Sequence, residues 1–440
     1  MVVGMSVFGS IFFIFGFATT FIITLSAPVK EIFGLSELAA QLITSAFFIT
    51  YPIMSIPAGK LIDRIGYKYT VIAGLFLMAL GSFIFIPAAK LPSFPIFLIG
   101  TFVLATGVVF LQVAANPYVT ALGPDSSASS RLNLTQALNS VATMVAPWLI
   151  SVAIFKGLQF PQDNMVAASR VPLPFIVMGV FVIVVAIALF SIKLPVIKSE
   201  DTSSKKSVWK YPHVVLGALA IFVYVGAEAG NAGLIVNYLK TSIGHTHETA
   251  STYAAIYWGG AMIGRFFGSF MFTDRKMSNK LTFVIPVLIL AFVSGSFVTK
   301  WDWSIGATFA GAAVVNFLVM LFGRGKAART LAIFALVAAL LDLTTTFTGG
   351  DVALWTIISI GLFNSIMFPN IFSLAVRDLD KAELSSASGL INALILGGAV
   401  IPPLMGSIAD RAGYTWAFIV PAVCYLYIFF YAVKGNTIRR

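Results

Sequence analysis

The chain has 440 residues, of which 59% are hydrophobic and only 10% charged, with 40 Phe and a mean hydropathy of +0.95. No water-soluble globular domain carries that balance, so the bilayer is its solvent. The single cysteine, Cys424, excludes an internal disulfide and a cysteine-built metal cluster, and the formal charge of +11 has to be read by its placement.

The sequence is apolar almost from Val2, without the basic region and cleavage site of a signal peptide, so the first run is expected to be a membrane helix. Apolar stretches then predict an all-α polytopic protein with fourteen spans. They lie near 6–29, 40–62, 69–89, 94–121, 132–155, 173–193, 212–239, 250–273, 281–299, 303–322, 328–347, 352–376, 385–409 and 414–433. With both termini inside, twenty-one of the 28 Lys and Arg fall on the inner side and seven outside. That bias fixes the expected orientation and makes the net charge a matter of topology, with no nucleic-acid partner implied. His213, His245 and His247 fall near span ends. His245, His247 and Glu248 read as a solvated loop in preference to a zinc site, and no metal is expected.

The one long polar stretch, Lys193 to Pro212, separates six spans from eight. It divides the chain into an N-terminal six-helix bundle (1–193), a cytoplasmic linker (194–211) and a C-terminal bundle (212–440). The halves echo each other. Asn116-Pro117 stands about fifteen residues before Arg131 and a new helix, and Pro369-Asn370 a similar distance before Glu383 and another. Parallel repeats of this kind build secondary transporters with a substrate at the midplane. The second half then holds two spans too many, a hairpin near 281–322 whose even number leaves later spans in the same orientation.

Uncharged polar groups gather in the fourth and fifth spans: Gln112, Asn116, Gln136 and Asn139. Gln136 and Asn139 are three residues apart and share a helix face. Amides suit a hydroxyl-rich solute, since each gives a donor and an acceptor to a group that is itself both. Interhelical hydrogen bonding is the alternative, favoured for Asn116 beside Pro117. Asn231, Asn364 and Asn392 form the corresponding group in the second half, and Tyr257 and Trp258 offer rings for sugar stacking or for packing.

Gly59-Lys60-Leu61-Ile62-Asp63-Arg64-Ile65-Gly66-Tyr67-Lys68 stands between the second and third spans. Gly59 and Gly66 are expected to let helices approach, while Asp63, Arg64 and Lys68 place charges that can pair and break at the inner surface. This resembles the loop signature of the major facilitator superfamily. Gly260, Gly264 and Gly268 give the corresponding span of the second half a flat packing face. Within that superfamily, Gln112 to Pro124, Ser130 to Ser140, Tyr224 to Glu228, Tyr257 to Arg265 and Gly361 to Pro369 closely resemble the fucose permease and glucose/galactose permease family. The resemblance covers nearly the whole chain and implies the major facilitator fold of twelve core helices, here with the inserted hairpin. It also implies uptake of a hexose-type sugar by alternating access, usually driven by a proton or sodium. The family's acids in the first and fourth spans are replaced here by Ile22-Ile23 and Gln112, so that proton route does not carry over.

Glu228 is the acid best placed to couple a cation. It lies sixteen residues into the seventh span, about 24 Å along the helix and too deep to reach water easily. A structural glutamate, protonated or amide-paired, is the competing reading. Asp342 sits near an outer helix end, where snorkelling or capping is expected. The chain thus reads as a sugar importer with Na⁺ or H⁺ as coupling ion and no other cofactor. A monomer is expected in a bacterial inner membrane with cytoplasmic termini. An uncoupled facilitator and an exporter of lipophilic compounds are the alternatives. A membrane enzyme is disfavoured because no acid/base pair or ligand cluster stands at useful depth.

Overall fold

The computed structural model describes residues 2–91, 93–122, 128–158, 162, 164–195, 207–272, 281–379 and 381–437. Gly123, Pro124 and Asp125, the linker stretch 196–206, the basic Arg275, Lys276 and Lys280, and the terminal Arg439 and Arg440 lie outside these residues. Among the described residues every regular element is helical, and eleven stretches are long and apolar enough to cross a membrane. The fourteen expected spans are therefore not matched one for one. The second and third run together as a single 53-residue stretch, Glu37–Ala89. Val284–Val298 has only 15 residues. His247–Met271 starts on His247-Glu248-Thr249 and carries Arg265, which dilutes its apolar character.

The chain forms two compact units, Met1–Asp201 and Thr202–Arg440. The first contains α1 (Val2–Phe33), α2 (Glu37–Phe48), α3 (Thr50–Lys90), α4 (Phe94–Ala121), α5 (Ala128–Ile150), α6 (Asn164–Arg170) and α7 (Pro172–Ser191). α1 packs along α5 and α4, and α3 along α4 and α7. A run of rings knits this core. Phe21 meets Phe175 edge-on, Phe175 stacks on Phe85 at 3.8 Å, and Phe85 meets Phe97.

α3 spans 41 residues, about 60 Å if straight and roughly twice the hydrocarbon thickness. It is broken at Gly66, whose φ of 79° and ψ of 170° lie in a region open only to glycine. The expected loop is thus a kink at one residue. Gly66→Ala is expected to cost roughly 1–3 kcal/mol, seen as less folded protein recovered in detergent. Gly59 and Gly66 both correct the expectation of close approach, since no described atom lies within 4 Å of where either Cβ would stand. Asp63 and Arg64 are exposed. Lys68 Nζ donates to Phe190 O at 3.1 Å and Ile192 O at 2.9 Å, closing the carboxyl end of α7, where a cation is favoured.

The second unit contains α8 (Pro212–Tyr238), α9 (His247–Met271), α10 (Val284–Val298), α11 (Trp303–Phe322), α12 (Ala327–Phe347), α13 (Gly350–Asn364), α14 (Met367–Ala375), α15 (Lys381–Ala393), α16 (Gly397–Ala412), α17 (Tyr414–Ala417) and α18 (Ile419–Phe430). α8 lies against α14, α16 and α18, and α12 against α13 and α18. The α10–α11 hairpin packs on α9, while α11 also reaches α12 and α13. At its tip Asp302 caps α11 by accepting from Ser304 N and Ile305 N, and Lys300 pairs with Glu248 at 2.8 Å. Half-exposed Trp301 and Trp303 flank the tip, as suits a membrane–water boundary. His247 and Glu248 stand in the first turn of α9, behind the cap Thr246, and not in a solvated loop.

Candidate functional site

The predicted site residues divide between the two units. In the first, Gln112 on α4 hydrogen-bonds Tyr51 of α3, and Asn116, one turn on, keeps its Oδ1 without a partner among the described residues. Asn139 on α5 donates Nδ2 to Phe12 O of α1 at 2.9 Å, at a point where Gly16 leaves no room for a side chain. This amide ties α5 to α1, the interhelical alternative. Gln136 is half-buried one turn before it. Ile22 and Ile23 are fully enclosed, so α1 brings no acid to this interior.

In the second unit α8 carries Tyr224, Glu228 and Asn231, spaced four and three apart and so on one helix face. They meet a broken helix. α13 ends at Asn364 and α14 starts at Met367, which strands backbone carbonyls at membrane depth that must find donors. Three of them are met by side chains. Asn316 of the inserted hairpin donates Nδ2 to Leu362 O at 3.1 Å, and Ser365 Oγ reaches the same oxygen at 2.7 Å. Tyr224 reaches Asn364 O at 3.1 Å, and Arg265 Nε reaches Ser365 O at 3.2 Å. The glycine face of α9 makes this possible. A Cβ on Gly260 would stand 2.8 Å from Leu362 N, one on Gly268 would stand 2.7 Å from Ile366, and one on Gly264 would strike Ser365.

Glu228 is half-buried at the centre of this network. The Tyr224 hydroxyl lies 2.7 Å from Glu228 Oε1 and 3.1 Å from Asn364 O; having one proton, it serves these acceptors by sharing or by alternating. Tyr257 donates to Glu228 O at 3.3 Å, and the Arg265 guanidinium is within electrostatic range of the Glu228 carboxylate. Asn364 is fully enclosed with both amide ends engaged. Its Nδ2 donates to Tyr257 Oη at 2.9 Å, and its Oδ1 accepts from Tyr425 Oη at 2.7 Å. The structure makes it a structural tie.

Asn231 faces Asp342 of α12, its Nδ2 at 3.3 and 3.5 Å from the two carboxylate oxygens, while its Oδ1 has no partner among the described residues. Asp342, near the end of α12, is 0% exposed, which corrects the expected snorkelling or capping role. α18 packs along α12, and Asn231 of α8 reaches the carboxylate, neighbours that depth along its own helix does not reveal. Enclosing an ionised carboxylate costs several kcal/mol unless a counter-charge or several donors meet it. Trp258 is buried edge-on to Tyr257 with an unpartnered Nε1. Asn392 is half-buried on α15, outside this network.

Besides Asp342, sequence reading missed Glu37, enclosed with Lys30 at 3.1 Å and Gln41 at 3.0 Å, and the inward role of Arg265. A charged residue within an apolar run was the available signal for each. Among the described residues no group of three His, Cys, Asp or Glu side chains is placed to hold a metal.

Comparison with known proteins bears on this architecture. The family model described as Major Facilitator Superfamily matches residues 7–340. A glucose/galactose transporter of Brucella abortus is 39% identical over 97% of this chain and 92% of its own length. The L-fucose-proton symporter of Escherichia coli is 29% identical over 96% and 91%. The crystal structure of the transporter FucP in its outward conformation aligns with a TM-score of 0.65 and 28% identity, covering 98% of each chain. The described helices, the family match and these full-length relatives together establish that the chain belongs to the Major Facilitator Superfamily of membrane transporters.

Proposed function

We propose that this protein is a secondary transporter that imports a hexose-type sugar, of the glucose, galactose or fucose class, by alternating access coupled to Na⁺ or H⁺. The observation that carries the reading is 39% identity across 97% of the chain to a protein named glucose/galactose transporter. Buried polar atoms left without partners add to it. Among the described residues, Asn116 Oδ1, Asn231 Oδ1 and Trp258 Nε1 each lack a hydrogen bond that a solute hydroxyl can supply. Gln112, Gln136, Asn139, Asn364 and Asn392 complete the candidate set, with Asn139 and Asn364 holding helices in place.

Glu228 is assigned the coupling role. It is the acid of the central network that is only partly enclosed, with the Tyr224 hydroxyl and the Arg265 charge beside it. Fourteen spans remain our reading: the kink at Gly66 makes two spans of Glu37–Ala89, and α9 and α10 add one each to the eleven. We place the protein in a bacterial inner membrane with both termini cytoplasmic, as a monomer.

The test is uptake of labelled glucose, galactose and fucose into proteoliposomes under imposed sodium or proton gradients. Wild-type protein is expected to accumulate one of them, and Glu228→Gln to lose at least tenfold of that accumulation. Unchanged accumulation in the variant removes Glu228 from coupling. An uncoupled facilitator is favoured by Ile22-Ile23 and Gln112 standing where the family's acids are expected. It predicts sugar counterflow indifferent to either gradient. Uptake of a hydrophobic dye without sugar counterflow would instead point to an exporter.

A further inference from the structure

We propose that Asp342 and Asn231 form a proton-binding site enclosed in the C-terminal unit, separate from Glu228. The proposal rests on the reading of coupled transport and names the coupling ion. Asp342 has no solvent exposure, and the polar contact to its carboxylate is the Asn231 amide at 3.3 and 3.5 Å. The titratable groups around it are uncharged ones, Tyr425 and Cys424 of α18, which packs on α12, and Tyr257 of α9. Among the described residues no cationic side chain acts on it; Arg265 bears instead on Glu228 and Tyr224.

Asn231 is suited to both charge states of its neighbour. An amide presents a donor and an acceptor of nearly equal shape, so a half-turn of the side chain exchanges one for the other. With the NH₂ toward Asp342 it donates to the carboxylate. With Oδ1, now unpartnered, toward Asp342 it accepts from the protonated acid. A metal cation does not fit as well. Hard cations gather several oxygens, whereas one amide oxygen and one carboxylate are on offer here. The step is a simple transfer. A proton from the outer solution adds to a carboxylate oxygen of Asp342, the loaded site closes, and the same proton leaves to the inner solution when the site opens there.

Proton-gradient-driven accumulation divided by counterflow rate isolates coupling from expression and sugar binding. In proteoliposomes Asp342→Asn is expected to lower this ratio at least tenfold relative to wild type. Independently, the wild-type protein is treated with dicyclohexylcarbodiimide, an apolar reagent for protonated carboxyl groups, and its peptides are weighed. The peptide bearing Asp342 is expected to be labelled, with labelling fading as the pH rises. A wild-type ratio in Asp342→Asn overturns the site and leaves coupled transport standing. Accumulation driven by sodium alone, at a rate flat with pH, overturns the proton assignment. Wild-type counterflow that ignores both gradients removes coupled transport and this site together. If the variant does not reach the membrane, the labelling decides: an unlabelled Asp342 at every pH overturns the proposal.

Discussion

Replacing Asn364 by leucine is expected to lower the thermal midpoint of the detergent-solubilised protein by roughly 2–4 °C and to stop transport. The side chain accepts from Tyr425 Oη and donates to Tyr257 Oη, while its backbone carbonyl meets Tyr224. It thereby joins α8, α9, α13 and α18 at one enclosed point. Leucine has the same branched outline and is larger, so no cavity is opened. What is lost is polar: two tyrosine hydroxyls are left buried with one partner fewer. Interhelical hydrogen bonds in membranes contribute about 1 kcal/mol each, and stranded groups add to that, giving about 2–4 kcal/mol. Tyr425→Phe removes one of these bonds and leaves only Asn364 Oδ1 short of a donor, so its midpoint should fall by about half as much. Differential scanning fluorimetry on the two variants checks the ordering. Equal midpoints would mean that Asn364 ties nothing together.

The second large effect is expected at Gly361. A Cβ there would strike the backbone carbonyl of Tyr257, and backbone cannot step aside as a flexible side chain can. Even alanine forces α9 and α13 apart along the face built by Gly260 and Gly264. The carbonyls of Leu362 and Ser365 then move away from their donors. Gly361→Ala should give little or no folded transporter by size-exclusion chromatography. Gly311→Ala is the matched control. Open space surrounds that position on α11, and the substitution is expected to leave stability unchanged or raise it by up to about 1 kcal/mol.

Much of this architecture was written in the sequence as local pattern. The apolar runs, the glycine spacing of α9, the signature from Gly59 to Lys68 and the depth of Glu228 are all properties of one helix at a time. What escaped depends on two or more helices. Asp342 reads as an end residue when distance is counted along α12, yet α18 packs along that helix and Asn231 of α8 meets the carboxylate, which is fully buried. Arg265 reads as one more inner-side cation, yet its guanidinium turns to the stranded carbonyl of Ser365. The break between Asn364 and Met367 carries no proline within it; Pro369 lies beyond the new start. It still has a local cause, because Pro369 has no N–H to return to Ser365 O four residues back and its ring crowds that carbonyl. It persists because Tyr224, Arg265, Asn316 and Ser365 supply the donors that an intact helix would have supplied itself. The amides divide by the same rule. Asn139 and Asn364 look alike to Asn116 in sequence, and only their neighbours make them ties.

The bond from Asn316 to Leu362 O bears on how such a hairpin is carried through evolution. An appendage that merely leaned on the bundle would come and go as a cassette at no expense to its host. Here excising those two helices takes away one of the two side-chain donors to Leu362 O and leaves Ser365 Oγ to meet it alone, so the loss is not free and favours a compensating change elsewhere. Chains of this family that lack the hairpin should therefore be found either with a polar residue from another helix at that spot or with the helix mended.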